Sequence, residues 1–226
     1  MWVESGEGFS WLMIGIPVLT AVLSYFLGCM NGAILVSKVF YHDDVRKHGS
    51  GNAGLTNFYR VYGKKCVLPV IATDMLKAVA SVCLGQALFS SAFGEPLLGR
   101  FFAALFCVIG HVFPATEQFK GGKGILCSGT LLLCLDWRVA LAGWGAFVLL
   151  LLATRYVSLG SVAAALSFPI STFFVYHDAA LVILAFLISS LVLWAHRENI
   201  KRLLSGTERK FHARSDREKE GTEDKK

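Results

Sequence analysis

Charge is scarce in this chain. Only 17% of its 226 residues are Asp, Glu, Lys or Arg, while 54% are hydrophobic. A water-soluble domain usually carries about 25% charged residues. The composition therefore excludes an ordinary soluble protein and gives an all-α, polytopic integral membrane protein. Apolar runs recur along the whole length, so no second, soluble domain is expected. None of the six cysteines forms a CxxC pair, which argues against a disulfide framework or a zinc site. Cys29, Cys66, Cys83, Cys107, Cys127 and Cys134 are expected as small buried hydrophobes. The N-terminus carries Glu4 and Glu7 but no Lys or Arg. It lacks the basic start of a cleaved signal, and the first apolar run is expected to be retained. The net charge of +6 fits Lys and Arg held on one membrane side, and no nucleic-acid partner is expected.

A helix needs roughly 20 apolar residues to cross a bilayer. Seven runs are candidates: Trp11–Ser37, Cys66–Ser91, Leu98–Phe113, Ile125–Leu135, Val139–Ala153, Leu159–Tyr176 and Ala179–Ala195. The third to fifth are short and must extend into their flanks or re-enter. Alternate crossing puts all the Lys and Arg residues on one side except Lys77, Arg100 and Arg138. The positive-inside rule then predicts the N-terminus outside and the C-terminus in the cytoplasm. Residues 205–226 mix both charge signs, have almost no apolar residues and are expected to be disordered.

Three polar islands interrupt the oil, all on the predicted cytoplasmic face. In "GSGNAGLTNFYR", Gly51 and its neighbouring glycines let a ligand approach the main chain. Ser50, Asn52, Thr56 and Asn57 add hydrogen-bonding groups, and Arg60 adds a planar fork suited to phosphate. In "GHVFPATEQFKGGKG", Lys120 and Lys123 alternate with Gly121, Gly122 and Gly124 just before an apolar run. A helix start offers free N–H groups to an anion. His111 ends the preceding run. In "AHRENIKRLLSGTERK", His196 and Asn199 share one helical face. Arg197, Lys201 and Arg202 are expected as lipid headgroup contacts or topology anchors. Ser158 and Ser161 start the sixth run, and Asp74 and Lys77 sit three apart inside the second. An ionisable pair there is either a structural ion pair or functional.

These groups point to anion recognition at a membrane surface. A Walker A loop, a Ser-His-Asp spacing and a metal-ligand cluster are all missing from the sequence. Chemistry run here must rest on positioning and charge stabilisation. A transporter of a phosphorylated molecule would use similar groups, but nearer the midplane and in repeated, broken helices. This chain has no regular repeat. A structural membrane subunit with headgroup-binding loops is the third option.

"SGNAGLTNFYR", "GHVFPATEQFKGGKG", "RYVSLGS" and "HRENIKRLLSGTERK", in this order from Ser50 to Lys210, resemble the signature segments of the bacterial acyl-phosphate:glycerol-3-phosphate acyltransferases, the PlsY family. The resemblance implies transfer of a fatty acyl group from acyl phosphate to the sn-1 hydroxyl of glycerol 3-phosphate. Lysophosphatidate and inorganic phosphate are the implied products, in the first acylation of phospholipid synthesis. It implies a seven-helix membrane domain, here residues 1–204, in the bacterial cytoplasmic (inner) membrane. The implied site faces the cytoplasm and meets membrane lipid. No cofactor or metal is implied, and a monomer is expected. By matching motif, Ser50, Gly51, Asn52, Thr56, Asn57, Arg60, His111, Lys120, Gly121, Gly122 and Ser161 should bind substrate. His196, Asn199, Lys123 and Ser158 should serve catalysis. The HxxxxD dyad of acyl-CoA-dependent acyltransferases is absent. With an activated donor and no activated nucleophile, direct transfer without an acyl-enzyme is expected. Three motifs depart from the family's usual pattern. Ala53 and Leu55 stand in the first motif, Thr116-Glu117-Gln118 follow the proline of the second, and Ala78 replaces a glycine in "DMLKA".

Overall fold

The computed structural model describes residues 6–211, with side chains from residue 12. Glu4, the Glu7 side chain and residues 212–226 lie outside that description. The described chain is all-helical. Its helices are α1 (Gly6–Cys29), α2 (Gly32–Tyr41), α3 (Leu55–Tyr62), α4 (Val67–Phe93), α5 (Pro96–Val112), α6 (Ile125–Leu135), α7 (Trp137–Thr154), α8 (Val157–Tyr176), α9 (Ala179–Ala195) and α10 (Arg197–Leu204).

One or two residues join α4 to α5, α6 to α7, α7 to α8 and α8 to α9, and each pair packs side by side. These are helical hairpins, so successive connections fall at opposite ends of the bundle. Small residues bring the helices close, as is usual where lipid supplies no hydrophobic drive. Gly85 of α4 meets the Gly99 carbonyl of α5, and Gly110 of α5 meets the Tyr25 carbonyl of α1. Between α4–α6 and α8–α9 the core is apolar, with Phe101 stacked on Phe168 at 6.0 Å.

Five helices are long and apolar enough to cross a membrane. Helix α9 joins α10 through a 61° bend and makes a sixth if the two count together. Helix α6 has 11 residues, about 16 Å of rise, against roughly 30 Å of hydrocarbon. A count of seven therefore depends on α6 and α9.

The first expected span, Trp11–Ser37, is not one helix. It breaks at Met30 and Asn31. Asn31 caps α2, its Oδ1 accepting from the Ile34 N–H at 3.1 Å. The break frees backbone groups inside the protein, and α4 satisfies them. Lys77 Nζ donates to the Met30 carbonyl at 2.7 Å, and Asp74 Oδ1 accepts from the Gly32 N–H at 3.2 Å. The buried Asp74–Lys77 pair, 2.8 Å apart, thus mends a helix break. Removing one member of such a pair costs about 3–5 kcal/mol.

Two further expectations are corrected here. Cys83 is exposed, and only Cys29, Cys107 and Cys127 are fully buried. The segment after Leu204 is ordered as far as Phe211. The Phe211 N–H donates to the Arg155 carbonyl at 2.8 Å, folding the chain back against the start of α8.

Candidate active site

The polar islands meet in one cavity of about 470 Å³. The loop before α3 and α3 itself form one wall, with Ser50, Asn52, Thr56, Asn57 and Arg60. The loop into α6 supplies Lys123, α5 supplies His111, and α8 supplies Ser158 and Ser161. His196, Asn199, Arg202 and Glu208 close the far side.

Each wall has a local cause. Asn57 is buried and consumed by its own loop. Its Oδ1 accepts from the Ser50 N–H at 2.8 Å, and its Nδ2 lies 3.1 Å from the carbonyls of Val45, His48 and Asn52. Asn57 therefore shapes the loop; expected as a substrate contact, it has little amide left for one. Gly51, at φ +71°, lies outside the cavity wall and serves the turn.

The glycine loop doubles back onto the end of α5. Gly121 N–H donates to the Val112 carbonyl and Gly122 N–H to that of His111. A Cβ on Gly122 would stand 2.5 Å from both the Ala53 carbonyl and His111 Nε2. The two glycines therefore permit the close approach, without lining the cavity themselves. The two lysines separate. Lys123 lines the cavity beside the N-terminus of α6, while Lys120 is exposed and lies outside it. The Lys120 carbonyl instead accepts from Arg46 Nη1 at 2.9 Å. Arg46 also donates to the Glu117 carboxylate at 2.9 Å, latching this loop to the segment before α3. Burial pulls Lys123 down to about 8, and the positive charges of Arg202 and Arg60 contribute.

His196 sits in the bend between α9 and α10. Its Nδ1 is 2.8 Å from the Val192 carbonyl. A carbonyl only accepts, so Nδ1 carries the hydrogen and Nε2 keeps a lone pair. Burial lowers its pKa to about 4, so the ring is neutral at physiological pH.

Glu208 was not anticipated as a site residue. Its Oε1 accepts from Ser158 Oγ at 2.9 Å and Asn199 Nδ2 at 2.8 Å, and its Oε2 from Arg202 Nε at 2.7 Å. Burial pushes its carboxyl up, but these three donors outweigh it and hold the pKa below the ordinary value. Among the described residues, Asn199 Oδ1 is buried and has no partner. Arg202, expected as a headgroup contact or topology anchor, lines the cavity instead. Ser161 Oγ donates to the Val157 carbonyl at 2.8 Å, a bond within its own helix.

A second, apolar cavity of about 50 Å³ adjoins the first and shares Ile125, Trp144, Phe147 and Ser161 with it. It runs between α6, α7, α8 and α9 into the core. A cavity with cations on several walls, continuing into an apolar slot within a multi-pass helical bundle, defines the class as an integral membrane protein with a polar site.

The family model for glycerol-3-phosphate acyltransferases matches residues 18–206. The chain belongs to that family, and it is an acyltransferase. It is 40% identical to glycerol-3-phosphate acyltransferase of Geobacillus kaustophilus over 192 residues, covering 85% of this chain and 94% of that one. It is 39% identical to glycerol-3-phosphate acyltransferase 2 of Bacillus anthracis over 194 residues, covering 86% and 98%. Among solved structures it is similar to PlsY, an integral membrane glycerol 3-phosphate acyltransferase. The glycerol 3-phosphate form superposes with a TM-score of 0.77 at 32% identity, over 87% of this chain and 96% of that chain. The lysophosphatidic acid form gives 0.75 at 30%, with the same coverage.

Proposed function

We propose that this acyltransferase moves a fatty acyl group from acyl phosphate to the sn-1 hydroxyl of glycerol 3-phosphate, releasing lysophosphatidate and inorganic phosphate. The observation that carries the reading is one cavity with cations on several walls that continues into an apolar slot. Both proposed substrates are phosphorylated, and one has a lipid tail. Arg60, Asn52 and Thr56 hold the glycerol 3-phosphate, and Lys123 with Arg202 meets the phosphate of the donor. Trp144 and Phe147 begin the acyl path. The cavity opens to the cytoplasm of a bacterial inner membrane, and a single chain supplies all of it.

Transfer is direct. His196 Nε2 and Asn199 Oδ1 are acceptors, and together they orient the attacking hydroxyl. Its oxygen bonds to the acyl carbon, and the bond from that carbon to the phosphate oxygen breaks. The hydroxyl proton does not rest on His196, whose pKa is about 4. The phosphate oxygen freed as the acyl bond breaks is a far stronger base than that ring, so the proton ends on the departing phosphate. Mixed anhydrides need no acyl-enzyme, and positioning with charge stabilisation suffices.

The test is phosphate release by the purified protein given palmitoyl phosphate, with and without glycerol 3-phosphate, and with palmitoyl-CoA as control donor. Release that depends on glycerol 3-phosphate and yields lysophosphatidate is expected. Turnover with palmitoyl-CoA alone would overturn the donor assignment. A stable acyl adduct on protein mixed with palmitoyl phosphate would overturn direct transfer.

A further inference from the structure

The buried pair that mends the α1–α2 break has one more contact, toward the cavity. An ammonium has three hydrogens and no lone pair. Lys77 Nζ has three acceptors: Asp74 Oδ1 at 2.8 Å, the Met30 carbonyl at 2.7 Å and His111 Nδ1 at 2.7 Å. With a carboxylate so close, the amine is charged, and every hydrogen is assigned. His111 Nδ1 must then be the bare nitrogen, and the single ring hydrogen sits on Nε2. Asp74 Oδ1 lies 3.8 Å from the same Nδ1, too far to compete. The other edge of the ring faces Gly122 and Gly124, and His111 lines the cavity with Lys123.

His196 has the opposite arrangement, hydrogen on Nδ1 and lone pair on Nε2. The two imidazoles that face one cavity are thus an N–H donor and an acceptor.

We propose that Lys77 is a positioning residue that locks His111 in the Nε2–H tautomer, so that His111 donates a hydrogen bond to the phosphate leaving during acyl transfer. The proposal rests on the acyl-phosphate reading. No proton is transferred by His111; it stabilises the charge that grows on the departing oxygen. A donor aimed at developing charge in a site of this kind is worth about 100-fold in kcat.

The test has two arms. Long-range nitrogen–proton NMR of protein labelled at histidine, at neutral pH, reports the tautomer of each ring in the wild type. His111 with bare Nδ1 and protonated Nε2 is expected; a protonated Nδ1 overturns the proposal. The second arm compares His111→Gln with His111→Asn, because a Gln amide reaches the place of Nε2 and an Asn amide only that of Nδ1. His111→Asn is expected to lose about 100-fold in kcat with the KM for glycerol 3-phosphate little changed, and His111→Gln to recover most of it. Equal activity of the two variants, or better activity of the Asn form, overturns the donor role and leaves His111 as a mere partner of Lys77. If the wild type forms no lysophosphatidate, the acyl-transfer reading fails first, and the NMR arm still decides whether Lys77 fixes the ring.

Discussion

Glu208 Oε1 accepts from Asn199 Nδ2 at 2.8 Å, and this one bond fixes which end of the Asn199 amide is left over. The carboxylate takes the donor end, so the acceptor Oδ1 remains for a hydroxyl. Hydrogen bonds to charged groups contribute about 1.5–3 kcal/mol each. Glu208→Ala removes three at once. It is expected to lower the thermal midpoint and to reduce kcat at least about tenfold. Glu208→Gln, which can accept through only one oxygen, should fall between. Circular-dichroism melts and turnover assays read both, and a Glu208→Ala enzyme with wild-type kcat would refute the arrangement.

Lys123 should give activity and stability opposite responses to pH. Its pKa is held at about 8 instead of the ordinary 10.5. As pH rises through about 8 the ammonium is lost, and kcat/KM for a phosphorylated substrate falls. Between about 8 and 10.5 the unfolded chain binds the proton that the folded chain has lost, so the stability of the ligand-free protein rises with pH across that window. In Lys123→Arg the guanidinium stays charged, and the alkaline limb moves up. Ionisation of the substrate phosphate affects both enzymes alike, so the ratio of their pH profiles isolates the lysine. A ratio that stays flat from pH 7 to 10 would exclude Lys123 as the titrating group.

The acid side belongs to His196. It is neutral down to about pH 4, and its lone pair disappears below that. Activity limited by this ring should fall only near pH 4 in the ratio of wild type to His196→Gln. A limb near the ordinary histidine value would mean that water reaches the ring.

Gly122 and Gly124 should tolerate alanine very differently. A methyl group on Gly122 would meet the Ala53 carbonyl and His111 Nε2 at 2.5 Å. Overpacking of this kind costs about 1–3 kcal/mol, and here it also displaces a cavity wall. Gly122→Ala should reduce kcat/KM by one to two orders of magnitude, roughly the same energy. On Gly124 the nearest atom would be 3.6 Å away, so only its φ of +78° opposes alanine, a strain of about 1–2 kcal/mol. Thermal shift and turnover of the two variants separate the effects. Equal losses would mean that backbone strain, and not the close approach, governs the loop.

Arg46 ties the two cationic walls together through the carbonyls of Glu117 and Lys120 and the Glu117 carboxylate. Lysine cannot make that fork. Arg46→Lys and Arg46→Ala should both raise the KM for glycerol 3-phosphate about five- to tenfold, close to the worth of one or two such bonds. A salt titration of the wild type should weaken binding in the same sense. An unchanged KM would show that the loops keep their places without the latch.

Much of the architecture is legible because helix length and hydropathy are local properties. The run 125–135 is helical over the residues the sequence marks, and the runs at 98–113 and 139–153 extend into their flanks. The break at Met30 and Asn31 was hidden for the opposite reason. One asparagine barely alters the hydropathy of its window, and the groups that make the break tolerable, Asp74 and Lys77, lie more than 40 residues on. Lys120 and Lys123 look equivalent in sequence. Only the turn through Gln118 and Phe119, both at positive φ, decides that one faces water and the other the cavity. Glu208 was obscured by composition. In a segment rich in both signs of charge, each side chain reads as solvated, whereas this one meets three donors from α8 and α10.

The return of the chain from Leu204 to Phe211 also decides what a shortened chain would lack. Ribosomes deliver helices to the membrane in order, and the walls built from residues 50–60, 111–124 and 158–161 are in place before the last one. Until Glu208 emerges, Asn199 and Arg202 lack the carboxylate that orients them. A nascent chain halted at Leu204 would own every long helix and still have an unfinished catalytic floor. The seven residues after Leu204 thus complete a cavity that the ten helices by themselves leave without its carboxylate.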